Sequence, residues 1–348
     1  MERLLFQTAN QAVSSPGGLQ TSSWKNREVS ERTLRYNEIP VMGEVVQNEA
    51  ATRQRPATAP PATGLFAKVR TTLEMIKFEH SVFALPFALT GAALAVRGWP
   101  TWRQVLWLVV AMVGARSAAM TFNRIADWKL DALNPRTSGR ALVTGALSLR
   151  FAGGFTALSC ALLVLAAYEL NPLAFKLSPV ALAVLLLYSY TKRFTLASHL
   201  ILGICLGMSP IAAWIALRGD LGASVLVLGA AVALWVAGFD MIYACQDVDF
   251  DRTAGLHSFP RRYGIRAALY SSAGLHVAML ALLAVVGLRE DLGWLAWAGL
   301  ATVTALIAYE HALVKPTDLS RVNAAFFTVN GYVSLLFFLT WAGDMLIH

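Results

Sequence analysis

Charge is what this sequence has least of. Asp, Glu, Lys and Arg make up 14% of its 348 residues, where an ordinary soluble domain carries about 25%. A fold of this size with so little polar surface cannot be a soluble globule, and a disordered chain is excluded for most of its length. Cysteine is scarce: Cys160, Cys205 and Cys245 lie in separate apolar runs, an odd, scattered set that supports neither a disulfide framework nor a thiolate metal site. The alternation of a transmembrane β-barrel is missing too.

What the chain has is apolar side chain. The AVILMFWYC set reaches 56% and mean hydropathy is +0.53. Residues 1–65 stand apart: polar, rich in Ser, Thr, Asn, Gln and Arg, and ending in Arg53–Gly64 with a dense run of Pro, Ala and Thr. That composition predicts a disordered extension with no core, and no apolar run marks it as a secretory signal. Residues 66–348 form the second unit, a transmembrane domain. Its apolar runs reach the roughly 20 residues that a helix needs to cross a bilayer. Nine segments are expected, at 78–97, 102–122, 145–168, 174–190, 197–217, 222–245, 266–288, 292–313 and 322–345. The fold class is therefore an all-α polytopic membrane protein of about nine helices.

Lys and Arg then set the orientation. The N-terminal flank and the loops after the second, fourth, sixth and eighth segments hold sixteen of them, the opposite loops five. The richer side is expected to face the cytoplasm, in a bacterial inner membrane. This accounts for the net charge of +8 without a nucleic acid, and nothing in the sequence calls for an obligate protein partner.

The remaining acids collect at that same side. The second segment runs into Asn123, Asp127 and Asp131, spaced by four, so the three share one helix face. Arg116, seven residues earlier, falls on the same face inside the membrane. The sixth segment repeats the device with Asp240, Tyr243, Asp247 and Asp251. Acids at membrane depth are costly and tend to be functional. Two facing pairs repel unless a cation lies between them, and hard oxygen ligands suit Mg²⁺, which bridges to substrate phosphates. Arg136 and Arg140 follow the first pair, and Lys192 and Arg193 follow the fourth segment. These are the parts of a site for a diphosphate beside an apolar cavity.

The pattern resembles the UbiA superfamily of intramembrane prenyltransferases. The residues that carry the resemblance are Asn123-x-x-x-Asp127-x-x-x-Asp131, Asp247-x-x-x-Asp251, Arg136-Thr-x-x-Arg140 and Tyr188-x-x-x-Lys192-Arg193. It spans residues about 70 to 345. Within the superfamily, Met75–His80, Tyr243–Asp247 and Gly255–Ser258 are similar to the 4-hydroxybenzoate polyprenyltransferase-like branch. Arg124 stands where many members have Asp, and His257 where Lys is frequent.

The resemblance implies Mg²⁺-dependent transfer of a polyprenyl chain from its diphosphate to an aromatic acid for ubiquinone or menaquinone synthesis. The expected acceptor is 4-hydroxybenzoate, with 1,4-dihydroxy-6-naphthoate or 1,4-dihydroxy-2-naphthoate as the alternative. Asp127, Asp131, Asp247 and Asp251 would hold the metal, Asn123 metal or phosphate, and Lys192, Arg193, Arg136 and Arg140 the phosphates. Tyr188, Tyr190 or Tyr243 would face the allylic cation. Arg116 either pairs with an acid or the diphosphate, or binds the acceptor's carboxylate. A transporter is a rival reading, but it predicts polar residues near the midplane, where Arg116 stands alone. An alcohol phosphotransferase is another, yet it would use one contiguous Asp motif. His80, His199 and His257 lack metal-ligand spacing and are expected at membrane interfaces. Gly203 and Gly207 are expected in a close helix contact.

Overall fold

The computed structural model describes residues 64–76 and 84–347. The extension expected at 1–65 lies outside them except for its last two residues, as do most of the first apolar segment's start and His80. The chain divides between residues 54 and 55, and the architecture below is that of the second unit.

A short amphipathic helix, α1 (Leu65–Ile76), precedes the bundle. There follow α2 (Leu85–Val96), α3 (Trp102–Leu133), the single turn α4 (Ala141–Thr144), α5 (Leu149–Leu170), α6 (Pro172–Thr191), α7 (Ser198–Arg218) and α8 (Ala223–Ala244). Short helices α9 (Val248–Thr253) and α10 (Phe259–Tyr263) lead to α11 (Ile265–Arg289) and α12 (Trp294–Leu313), and a π-helical turn at Ala324–Val329 opens α13 (Asn330–Ile347). Strands are absent from the described residues apart from one isolated bridge, Lys315 to Asp318.

Each of the nine expected segments overlaps a helix of the described residues, and seven of those helices are long and apolar enough to cross a membrane. The other two differ for identifiable reasons. Helix α2 has only 12 described residues, and α12, though 20 long, carries Glu310 and His311 in its last turn. Two expected ends move. Helix α3 continues eleven residues beyond 122, so the first Asp pair sits on unbroken helix. The third segment starts at Leu149, where Ser148 caps the helix by accepting the Phe151 amide.

Helix α8 is the pillar. It packs on α7 and α11, while α3 lies against α5, and α2 bridges α7 and α13. Its Val225, Leu228, Val232, Trp235 and Phe239 meet Phe87, Met279, Leu283, Phe337 and Trp341 in the main core. The Phe87 ring lies 5.0 Å from both Trp235 and Phe337. Gly203 and Gly207, four apart on α7, face α8 as expected: a Cβ at Gly203 would overlap the Ala233 carbonyl oxygen, and one at Gly207 that of Gly229. Small residues let the backbones approach to that distance, which maximises van der Waals contact where no hydrophobic force separates helix from lipid.

Some buried polar groups of the bundle meet across helices. The Trp235 indole donates to Asn330 Oδ1 at 2.8 Å, and Asn330 Nδ2 donates to Glu310 Oε1 at 2.8 Å and to the Ala325 carbonyl at 3.1 Å. Asn330 thereby ties its side chain to the backbone of the π-helical turn as well as to α12. At the opposite end, the buried Asp344 carboxylate accepts the Gly293 and Ala296 amides at 2.6 and 3.2 Å, capping α12 from α13. Asp344→Ala is expected to lower stability by about 1–2 kcal/mol, the worth of a lost cap, read as a lower melting temperature in detergent with the prenyl-transfer rate of the folded fraction retained.

Candidate active site

The ends of α3, α6 and α8, with the loops that follow them, enclose a cavity of about 200 Å³. The sequence pattern explains the convergence. Spacing by four and seven puts each helix's acids on one face, and unbroken helix at α3 and a 3₁₀ turn at Cys245–Asp247 carry those faces past the bundle's end. Eleven of the residues given a role from the sequence line this cavity: Asn123, Asp127, Asp131, Arg136, Arg140, Tyr188, Lys192, Arg193, Tyr243, Asp247 and Asp251. Arg116 is not among its lining residues.

Each of the four aspartates has its own cation. Arg193 Nη2 donates to Asp127 Oδ1 at 3.0 Å, and Arg140 Nη1 lies 2.5 and 2.6 Å from the two Asp131 oxygens. Arg136 holds Asp247 in a fork, Nε to Oδ1 at 3.0 Å and Nη2 to Oδ2 at 2.7 Å. Lys192 Nζ stands 2.8 Å from Asp251 Oδ1. The pairs cross between segments: Arg136, from the loop after α3, reaches the end of α8, while Arg193, from the end of α6, reaches back to α3. The cations of the two loops thus tie the three helix ends together.

The supports around these pairs are local. The Asn134 side chain accepts the Arg136 amide at 2.9 Å, an Asx turn that aims the guanidinium. Arg136 also donates to the Tyr243 hydroxyl at 3.1 Å and lies 5.4 Å from that ring's centre. Burial opposes its charge, but the Asp247 carboxylate outweighs this and holds the guanidinium above its ordinary pKa. Tyr243 in turn packs at 4.2 Å on Phe326 of the π-helical turn. The His257 amide donates to the Lys192 carbonyl at 2.7 Å, closing the loop after α9 over the Lys192–Asp251 pair. Tyr190 is outside the cavity lining and carries Arg193 over its ring at 5.0 Å.

Three residues acquire roles the sequence did not assign. Arg124 donates to Asn123 Oδ1 at 3.1 Å, and Asn123 Nδ2 donates to Asp127 Oδ2 at 3.1 Å. Asn123 is therefore a link between Arg124 and Asp127 here, with both ends of its amide engaged. Asp240 lines the cavity as a fifth carboxylate. His199, expected at a membrane interface, is instead buried with Nδ1 2.6 Å from Asp240 Oδ2. The i to i+7 relation of Asp240 to Asp247 was the one available signal; His199 had none.

The sequence model of the UbiA prenyltransferase family matches residues 84–339. The chain belongs to that family. It is a prenyltransferase, and the match covers every cavity residue named above. A 4-hydroxybenzoate octaprenyltransferase of Methylobacillus flagellatus is 32% identical over 257 residues, 74% of this chain and 86% of the relative. One from Saccharophagus degradans is 30% identical over 73% and 84%. Among solved structures, a UbiA homologue from Aeropyrum pernix K1 is 38% identical with a TM-score of 0.70, over 77% of this prenyltransferase and 98% of that chain. A UbiA homologue from Archaeoglobus fulgidus bound to DMAPP and Mg²⁺ has a TM-score of 0.64 over 79% and 99%, at 19% identity, a likeness of fold.

Among the described residues no three His, Cys, Asp or Glu side chains gather closely enough to hold a metal by themselves. The donor set nevertheless suits one kind of ion. Asp251 is fully buried, and neither of its oxygens has a hydrogen bond, since Lys192 approaches at ion-pair distance without hydrogen-bond geometry. The Lys192 charge therefore offsets only part of the cost of burying this carboxylate, and both oxygens keep lone pairs that a further ligand can use. Mg²⁺ is held by one or two carboxylates, with phosphate oxygens and water completing its shell, so pairs of aspartates fit an ion that enters with a diphosphate.

Proposed function

We propose that this prenyltransferase transfers a polyprenyl group from polyprenyl diphosphate to a ring carbon of an aromatic acid, 4-hydroxybenzoate first, in respiratory quinone synthesis. One observation carries the reading: four aspartates and four cations, paired one to one around a single cavity. Five carboxylates and five Lys or Arg side chains line it, so the site is charge-balanced as it stands. A diphosphate or a divalent ion alone would upset that balance; the two together nearly preserve it. On binding, Arg136, Arg140, Lys192 and Arg193 would exchange carboxylate for phosphate oxygens, which the guanidinium fork matches equally well. Asp127, Asp131, Asp247 and Asp251 would then be free to hold Mg²⁺.

Bound Mg²⁺ supplies charge neutralisation that makes diphosphate a better leaving group. The chain's own residues do the rest. The four cations orient the diphosphate and stabilise the charge that it gains as its bond to the allylic carbon breaks. Tyr188, which lines the cavity, would stabilise the allylic cation through its ring, and the apolar bundle keeps water from it. The excess of Lys and Arg on the side of the aspartates supports a cytoplasmic site in a bacterial inner membrane. The names of the relatives support 4-hydroxybenzoate as acceptor.

The test uses the full chain in membranes with a labelled polyprenyl diphosphate, with Mg²⁺ or EDTA, and with 4-hydroxybenzoate or either naphthoate. A prenylated product from 4-hydroxybenzoate that disappears with EDTA is expected. Product only from a naphthoate would move the assignment to menaquinone, and product unaffected by EDTA would overturn the metal requirement.

A further inference from the structure

The diphosphate reading uses four of the five carboxylates in the cavity and leaves Asp240 without a task. Asp240 lies on α8 seven residues before Asp247, two helical turns or roughly 10 Å along the axis, on the same face but toward the apolar interior. None of the cavity's Lys or Arg side chains pairs with it. Its partner is His199, whose ring is buried in the first turn of α7. The Phe259 amide donates to His199 Nε2 at 3.4 Å. That assigns the ring hydrogen to Nδ1, which donates to Asp240 Oδ2 at 2.6 Å. One carboxylate oxygen is thus fixed from behind. The other, Oδ1, has no hydrogen bond among the described residues, and the side chain keeps 21% of its surface exposed while lining the cavity.

We infer that Asp240 is the base that accepts the hydroxyl proton of the aromatic acceptor, and that His199 is its positioning residue. This rests on the reading above, which brings a hydroxylated ring to this cavity. The placement suits the chemistry: an acid beyond the diphosphate cluster, on the side where a ring must stand to meet the allylic carbon. The acceptor's hydroxyl hydrogen passes to Asp240 Oδ1, and the phenolate so formed pushes electron density onto its ring. The ring carbon beside the hydroxyl bonds the allylic carbon, whose bond to the diphosphate oxygen breaks with the electron pair leaving on diphosphate. The resulting dienone loses its ring hydrogen as a proton to the departing diphosphate. The phenolate oxygen restored by that loss recovers its proton from Asp240, which ends as it began.

The experiment compares wild type, Asp240→Asn and His199→Gln as full chains in lipid nanodiscs, each checked by thermal melt, with kcat and KM measured for both substrates. A positioned base is worth about 10²–10⁴-fold. Asp240→Asn is expected to lose at least about 100-fold in kcat/KM for 4-hydroxybenzoate while its KM for polyprenyl diphosphate stays within about twofold. His199→Gln is expected to lose about tenfold in the same parameter. The decisive comparison replaces the acceptor by 3-fluoro-4-hydroxybenzoate, whose hydroxyl ionises more readily. It should recover a larger share of the rate in Asp240→Asn than in wild type, which a structural role would not produce. An unchanged kcat/KM for the acceptor, an equal loss on both substrates, or no selective recovery with the fluorinated ring would each overturn the inference. If Asp240→Asn does not fold, the same three outcomes are read from His199→Gln. Failure of wild type to prenylate any hydroxylated ring would instead overturn the functional reading beneath.

Discussion

Asp247→Ala is expected to lower prenyl transfer by about 10³-fold, the scale on which losing one preorganised electrostatic contact to a transition state is felt. Two effects combine. The variant loses a carboxylate proposed for the metal, and it frees Arg136, whose Nε and Nη2 both lie on Asp247. An unpaired guanidinium beside the cavity should hold diphosphate at least as well as before. The loss is therefore expected in kcat, with affinity for polyprenyl diphosphate measured without Mg²⁺ unchanged or tighter. Asp127→Ala should behave in the same way through Arg193. Steady-state kinetics with labelled polyprenyl diphosphate, together with equilibrium binding in EDTA, separate the two effects. Transfer within tenfold of wild type would show that Asp247 serves the ion pair and not the reaction.

The second large effect is on folding. Gly203→Leu is expected to yield no monodisperse protein in detergent, because its Cβ alone would already overlap the Ala233 carbonyl oxygen on α8. Overpacking against a side chain costs about 1–3 kcal/mol, since side chains can turn aside. Backbone cannot, so α7 and α8 would have to separate along their whole contact. Total stability is only about 5–15 kcal/mol, and α8 carries much of the main core. Gly203→Ala should fold with a lowered melting temperature. Size-exclusion profiles and melting curves of the two variants check this, and a native profile for Gly203→Leu would mean that the two backbones lie further apart than described.

What the sequence determined by itself was whatever is local along the chain. A bilayer converts span length and hydropathy directly into helices, so nine segments were legible and each overlaps a helix of the described residues. Asp127, Asp131, Asp247 and Asp251 were legible because spacing by four marks one face without knowledge of any neighbour. Their association with Lys and Arg was visible only as proximity in sequence, and proximity misleads about partners: Arg136 follows the first motif yet pairs with Asp247, 111 residues away. Such choices depend on how each helix is rotated. Helices that are apolar nearly all round, as α7 and α8 are, carry no polar face to reveal that rotation. The tertiary structure alone therefore decided that His199 meets Asp240 and that Asn330 joins Trp235 to Glu310. Each is a side-chain contact between groups that one-dimensional patterning leaves unpaired. The helices were fixed by their solvent, lipid; the contacts were fixed by their packing against one another.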